Sequence, residues 1–251
     1  MSRAPLILLH GWGLGPAVWA PLTACLPADR PVLAPPLPGH AGTPPTDSHT
    51  LAAWADRLAP ALPDAAAVCG WSLGGMLAMA LAQRHPAKVS RLLLVGTSPR
   101  FVAEGGSDGA DWEHGLDAAT VATFIASFRT SPADTLRRFI ALQTLGDVNR
   151  RSVTAALSAA VSNSGGTDPR TLAQGLEILA NCDLRRTAPQ LHVPARLFHG
   201  AGDALMPLAA AEWLAGQLPA SRLTVFDDCG HAPFLSRPRE FADALLEALD
   251  D

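Results

Sequence analysis

The chain has 251 residues, 48% hydrophobic and 17% charged, enough to bury a sizeable core and too apolar to be disordered. A formal net charge of −4 gives no global attraction to nucleic acid or an anionic membrane, and no stretch approaches the ~20 apolar residues of a membrane span. Four widely separated cysteines (Cys25, Cys69, Cys182, Cys229), with no C-x-x-C pair and no metal-ligand spacing, point to reduced thiols in a cytoplasmic protein; nothing demands more than a monomer.

In chain order, Pro5–Leu9 is an apolar run that predicts a buried strand, and it ends at a Gly-rich turn, His10-Gly11-Trp12-Gly13. Pro16–Leu26 is helical in pattern and Pro31–Ala34 a short strand. The prolines and glycines of Pro35–Gly42 allow only a loop. Thr50–Leu62 reads as a helix, Ala65–Cys69 as a buried strand and Gly75–Ala82 as a helix of alanines and leucines. Arg91–Val95 is a further strand. From Pro194 the alternation resumes, with strands at Arg196–His199 and Arg222–Phe226 and helices at Leu208–Leu218 and Arg237–Leu249. Apolar, non-alternating strands in repeated β-α-β units predict a parallel sheet covered by helices on both faces.

Between Pro99 and Pro189 the strands vanish. Val121, Phe124, Ile125 and Phe128 fall on one helical face. Ser131-Pro132-Ala133-Asp134 carries an N-cap serine, proline at N1 and an acid at N3, and Leu136, Phe139, Ile140 and Gln143 share a face until Gly146. Asp147 and Asp168-Pro169 open two more helices. The division expected is a core over residues 1–99 and 189–251, with an all-helical cap over 100–188 inserted between two core strands. Such a cap would cover the C-terminal edge of the strands, where ligands bind in open α/β sheets.

Between the third strand and its helix stands Gly70-Trp71-Ser72-Leu73-Gly74. Roughly one chain in ten of this length holds Gly-x-Ser-x-Gly by chance, but strand, pentapeptide and helix together form the nucleophile elbow of the α/β-hydrolase fold. A serine hydroxyl needs a base, and the base needs an orienting acid; in this fold they follow as Ser, Asp/Glu, His, each just after a strand. Asp203 follows Leu197–His199 through a glycine turn, and His231 follows Val225-Phe226. Ser72, Asp203 and His231 are therefore the predicted catalytic residues. Asp227 and Asp228 also precede His231 but follow the last strand, where solvating or shaping the loop suits them better. The amides of Leu73 and Trp12 are the predicted oxyanion donors, with the Trp12 indole as a pocket wall. His10 is expected to brace that loop and His199 to be structural, while His40, His49, His85, His114 and His192 read as surface or turn residues.

Three segments, His10-Gly11-Trp12-Gly13-Leu14, Gly70–Gly75 and Gly230-His231-Ala232-Pro233-Phe234, resemble the pimeloyl-[acyl-carrier-protein] methyl ester esterase family of biotin synthesis. The cap stretches Arg138–Gly146, Gly175–Leu179 and Asp183-Leu184-Arg185 are similar to cap segments of that family, and Ser98-Pro99 fits as well. The resemblance implies an α/β-hydrolase with Ser72, Asp203 and His231 as its triad and an acyl site lined by Trp12, Ser72, Leu73, Phe139, Ile140, Ala141, Leu142, Gln143 and His231. It implies no metal or organic cofactor, and a substrate carried by acyl carrier protein. Two departures stand out: the chain starts almost at the strand into the oxyanion loop, and Pro36 stands where relatives commonly carry an acid.

Charge gives modest independent support for such a partner. Between Arg129 and Arg151 five arginines face two aspartates, and Arg150 and Arg151 fall in a first helical turn, where positive charge is unfavourable by roughly 0.3–1 kcal/mol each. Arg137, Arg138, Arg150 and Arg151 are thus the predicted docking residues for an acidic carrier protein. The alternatives at this stage are a general short-chain carboxylesterase without a carrier partner and a ligand-binding protein on a hydrolase scaffold.

Overall fold

The computed structural model describes residues 4–105, 111–162 and 167–251. Six strands, β1 (Leu6–Leu9), β2 (Val32–Leu33), β3 (Ala66–Trp71), β4 (Val89–Val95), β5 (Ala195–Gly200) and β6 (Ser221–Phe226), form one sheet in the order β2-β1-β3-β4-β5-β6. Every pairing is parallel. The chain leaves β1 toward β2 and then returns past it to β3, so strand order reverses between β1 and β3. At such a switch point the loops after two neighbouring strands part and leave a crevice. The loop after β1 and the turn holding Ser72 stand on its two sides.

The strands are apolar throughout because both faces are covered. Ile7, Leu9, Val68, Leu92, Leu94 and Leu197 enter one core cluster; Leu6, Leu8, Ala67, Cys69, Leu93, Val95 and Phe198 enter the other. This period-two split is what a strand buried on both sides requires. The first face is covered by α2 (Leu51–Leu58), α3 (Leu73–Arg84) and α8 (Leu208–Gln217), through side chains such as Trp54, Leu77 and Leu214. The second is covered by α1 (Ala20–Thr23), α9 (Pro233–Ser236) and α10 (Pro238–Asp250), through Leu22, Phe234, Phe241 and Leu245. The helix expected over Thr50–Leu62 is shorter: Thr50 caps it by accepting from the Ala53 amide, and at Pro60 it tightens into a 3₁₀ turn, since proline has no N–H to continue the ladder.

Among the described residues four α-helices lie between β4 and β5: α4 (Ala118–Thr130), α5 (Pro132–Gln143), α6 (Arg150–Ser162) and α7 (Pro169–Asn181). The lead-in is not wholly helical or loop. Isolated bridges Arg100–Asp183, Val102–Leu116 and Glu104–Trp112 tie the entry strand of this insertion to its exit and to itself, a pairing too short to leave a strand signature in the sequence. Asp168 caps α7 as its sequence position predicts, and Asp117 caps α4 by accepting from the Thr120 amide. Ser131 does not cap α5 through its hydroxyl, because the same residue ends α4 with its amide bonded to the Ser127 carbonyl, and Asp134 pairs with Arg137 instead. Among the described residues no helix is long and apolar enough to cross a membrane.

Candidate active site

Ser72 has φ 57° and ψ −121°, a conformation disfavoured for a residue with a side chain and the hallmark of a strand-to-helix elbow. Close backbone approach makes the turn possible. A Cβ on Gly70 would lie 2.2 Å from the Gly74 carbonyl oxygen, and one on Gly74 would lie 2.3 Å from the Leu9 carbonyl oxygen. The serine is further held by its amide, which donates to Val95 O at 2.9 Å, and by Thr97, whose hydroxyl donates to Ser72 O at 2.8 Å. Thr97 carries no sequence signal, since its role depends on β4 lying beside β3.

Asp203 and His231 meet as their strand-end positions predict. His231 Nδ1–H donates to Asp203 Oδ2 at 2.7 Å, with both side chains buried. The other carboxylate oxygen accepts from the amides of Leu205 at 2.9 Å and Met206 at 3.0 Å. Burial opposes the charge on Asp203, yet the His231 and His199 imidazoles and the Met206 amide outweigh it and hold the carboxyl below the usual range. With Nδ1 committed to Asp203, the lone pair of His231 is left on Nε2. Asp227 and Asp228, the competing acids, lie exposed in the turn after β6.

The three groups share one end of the sheet. A Cβ on Gly11 would lie 3.4 Å from Ser72 Cβ, and one on Gly96, at the end of β4, 3.3 Å from His231 Nδ1 and 3.5 Å from Asp203 Oδ2. The Trp71 indole, next to the serine, donates to the His231 carbonyl at 2.8 Å, and its ring centroid lies 5.4 Å from the imidazole. Among the described residues the Ser72 hydroxyl carries no hydrogen bond of its own. In empty hydrolase sites this bond is commonly long and tightens once substrate is seated.

His10 braces the loop after β1, as expected. Its Nδ1–H donates to Gly11 O at 2.9 Å and its Nε2 accepts from the Leu37 amide at 3.1 Å. In a planar trans peptide the carbonyl and the next N–H point opposite ways. Holding Gly11 O back against His10 therefore turns the Trp12 amide away from His10 and leaves it free of backbone partners among the described residues. The Leu73 amide, first in α3, has no helical acceptor either. Burial pushes the His10 imidazole down to about 3 and that of His40 to about 4, so both are neutral. His40 corrects the sequence reading: it is wholly buried, 5.1 Å from the His10 ring and 5.8 Å from that of Trp54, because the proline-rich loop folds inward over β1. His199 is structural, with Nε2–H donating to Met206 O at 2.6 Å.

Above the switch point the insertion shapes a narrow cavity of about 50 Å³, lined by Phe101, Leu116, Thr120, Val121, Phe124, Phe139, Leu142, Leu176, Leu179 and Leu205. Trp12 joins it to the oxyanion loop: its ring stands edge-on to Phe139 at 4.9 Å, to Phe128 at 5.6 Å and to Phe124 at 6.0 Å, and its indole N–H donates to Leu172 O at 2.8 Å. Of the α5 residues predicted to line an acyl site, Phe139 and Leu142 line this cavity. Ile140 packs into the second core cluster with Val153 and Leu157, and Ala141 is exposed. Gln143 is buried, its carbonyl accepts the His231 amide at 3.2 Å, and its side-chain nitrogen has no partner. Arg137, Arg138, Arg150 and Arg151 are exposed; only Arg137 has an acidic partner among the described residues.

A parallel sheet whose switch point carries a strained serine, an acid-oriented imidazole and two free amides defines a hydrolase of the α/β class. The model of the alpha/beta hydrolase fold family matches residues 4–238. An esterase structure from Exiguobacterium antarcticum superposes with a TM-score of 0.86 at 20% identity, over 100% of this chain and 93% of that one, which supports the fold. Two pimeloyl-[acyl-carrier protein] methyl ester esterases are closer in sequence. That of Aromatoleum aromaticum is 58% identical over 96% of both chains. That of Chromobacterium violaceum is 39% identical over 98% of this chain and 94% of its own. The chain belongs to the alpha/beta hydrolases and, within them, to the family of pimeloyl-[acyl-carrier protein] methyl ester esterases.

Proposed function

We propose that this chain hydrolyses the methyl ester of pimeloyl-[acyl-carrier protein], giving methanol and pimeloyl-[acyl-carrier protein] for biotin synthesis. The observation that carries the chemistry is the buried 2.7 Å bond from His231 Nδ1 to Asp203, set beside a serine in an elbow conformation. His231 Nε2 takes the Ser72 proton as Oγ attacks the ester carbonyl, and Asp203 holds the imidazole in the tautomer this requires. The tetrahedral oxyanion accepts from the amides of Leu73 and Trp12, each donor contributing about 3–4 kcal/mol. His231 passes its proton to the departing methoxide, and methanol leaves. Water then attacks the acyl-enzyme, gives a proton back to His231 and restores Ser72. No metal or organic cofactor enters this scheme.

Substrate class follows from the family and is supported by the cavity, whose narrow apolar walls suit a methylene chain at about 0.8 kcal/mol per buried CH₂. Phe139 and Leu142 would contact that chain, and Gln143, whose side-chain nitrogen has no partner, would donate to a polar group on it. The cap is taken as residues 100–188. The exposed guanidinium groups of Arg138, Arg150 and Arg151, with Arg137 beside them, suit docking of an acidic carrier protein at the α5 and α6 ends of that cap. Four free thiols suit a cytoplasmic setting.

The second reading is a general short-chain carboxylesterase, favoured by a cavity that needs no carrier to be filled. The double variant Arg138→Glu, Arg151→Glu separates the two. Turnover of the carrier-bound ester should fall at least about tenfold, with kcat/KM for a small soluble ester unchanged. Equal effects on both substrates would favour the general esterase. Loss of fluorophosphonate labelling in Ser72→Ala is the matching check on the nucleophile.

A further inference from the structure

Asp147 reads in sequence as the residue that opens α6, but its carboxylate is mostly engaged elsewhere. Oδ2 accepts from the Gly230 amide at 2.9 Å, 83 residues away and immediately before His231. Oδ1 accepts from the Ser236 hydroxyl at 2.8 Å and from the Asn149 amide at 2.7 Å. Asn149 Nδ2 in turn donates to Ser236 O at 3.1 Å. The backbone on both sides joins in: His231 N donates to Gln143 O at 3.2 Å, and Val148 N to Asp228 O at 2.9 Å. The segment from Gln143, the last residue of α5, to Asn149 thus grips the histidine loop from Asp228 to Ser236. Gly146 packs on the acid loop as well, where a Cβ would lie 2.2 Å from Gly202 O.

We propose that Asp147 is a positioning residue for the general base, a clasp by which the cap segment fixes the His231 loop against the serine; this rests on the functional reading above. Asp147 is only 8% exposed and its carboxylate binds three neutral donors, one of them the peptide N–H that leads directly into His231. A side chain needed only to start α6 would not reach across to that loop. Gly230 fits the same account: a Cβ there would lie 2.8 Å from Leu145 O and 3.3 Å from Asp147 Cβ, so the loop lies flat on the clasp. Because the clasp acts on orientation and not on substrate contact, its loss should appear in kcat and not in KM. A base displaced by about 1 Å can cost roughly 10²-fold in rate.

The test compares Asp147→Ala, Asp147→Asn and Ser236→Ala with the parent chain and Ser72→Ala, using a p-nitrophenyl ester of a short acid, with active sites counted by fluorophosphonate. Asp147→Ala should lower kcat per active site by about 30–100-fold with KM within about threefold, and Asp147→Asn by less. The downfield proton resonance of His231 Nδ1–H should broaden or move in both. Ser236→Ala keeps the Gly230 bond and should stay within about threefold of the parent. If either Asp147 variant folds and keeps the parent kcat and the parent resonance, the clasp is refuted. If Asp147→Ala does not fold, Asp147→Asn decides by the same two readouts. Residual hydrolysis by Ser72→Ala would instead strike the functional reading and is separable from both.

Discussion

Around Ser72 the holding is done by the core: the Leu9 and His10 carbonyls against Gly74, the Val95 carbonyl on the serine amide and Thr97 on its carbonyl. Around His231 much of it comes from outside the sheet, from the cap segment 143–149, with the core adding the Trp71 indole and Asp203. Both arrangements fix one reactive atom, but they draw on elements of different kinds. The nucleophile sits between a strand and a helix whose register cannot slip without unfolding the sheet. The base sits on a loop, and loops gain precision from what packs on them. In this molecule the insertion that lines the apolar cavity also bonds to the His231 loop, so the two are joined by covalent chain and by hydrogen bonds.

The largest test of this contrast is Asp203→Asn. The amide can present its N–H to His231 and leave the wrong tautomer, so kcat should fall by about 10⁴ while fluorophosphonate-free folding and KM change little. Near-parent activity would shift the acid role to Asp227 or Asp228. Acid titration probes the core side. His10 and His40 are held neutral with values of about 3 and about 4, against about 6.5 in the unfolded chain. Below pH 6.5 the unfolded chain gains protons the folded one refuses, so stability is complete above that pH and is lost toward pH 4, by on the order of 3 kcal/mol per histidine. Asp203 adds a further loss only below about pH 3.9, since its folded value is depressed. Unfolding free energies that stay flat from pH 7 to pH 4.5 would contradict the buried neutral pair.

Gly74→Ala should act on the nucleophile side alone. Its Cβ would meet two backbone oxygens, Leu9 O at 2.3 Å and His10 O at 2.6 Å, neither free to swing away. A cost of about 3 kcal/mol is expected, or a melting point lower by roughly 6–12 °C for a chain of this size. The His231 Nδ1–H resonance should persist in whatever fraction folds. If it vanishes together with the elbow, the two halves of the site are one cooperative unit and the contrast drawn above fails.

What the chain alone determined is whatever local pattern encodes. Apolar runs of strand length, the glycines flanking Ser72 and the strand-end positions of Asp203 and His231 each fix a backbone geometry or a burial demand within a few residues, so the sheet, the elbow and the meeting of Asp203 with His231 beside it were readable. Helices of the insertion were readable too, α4 by its periodicity and α7 by the aspartate before it. The tertiary structure decided which residues serve those groups from a distance. Asp147 looked like an ordinary helix opener and bonds instead to Gly230; His40 looked like a turn residue and is buried against His10; Ser131 looked like a cap and is taken by the helix before it. In each case the deciding contact depends on where another element packs. A polar side chain bonds to whatever donor burial leaves beside it, and that neighbour is fixed by the fold and not by the adjoining residues.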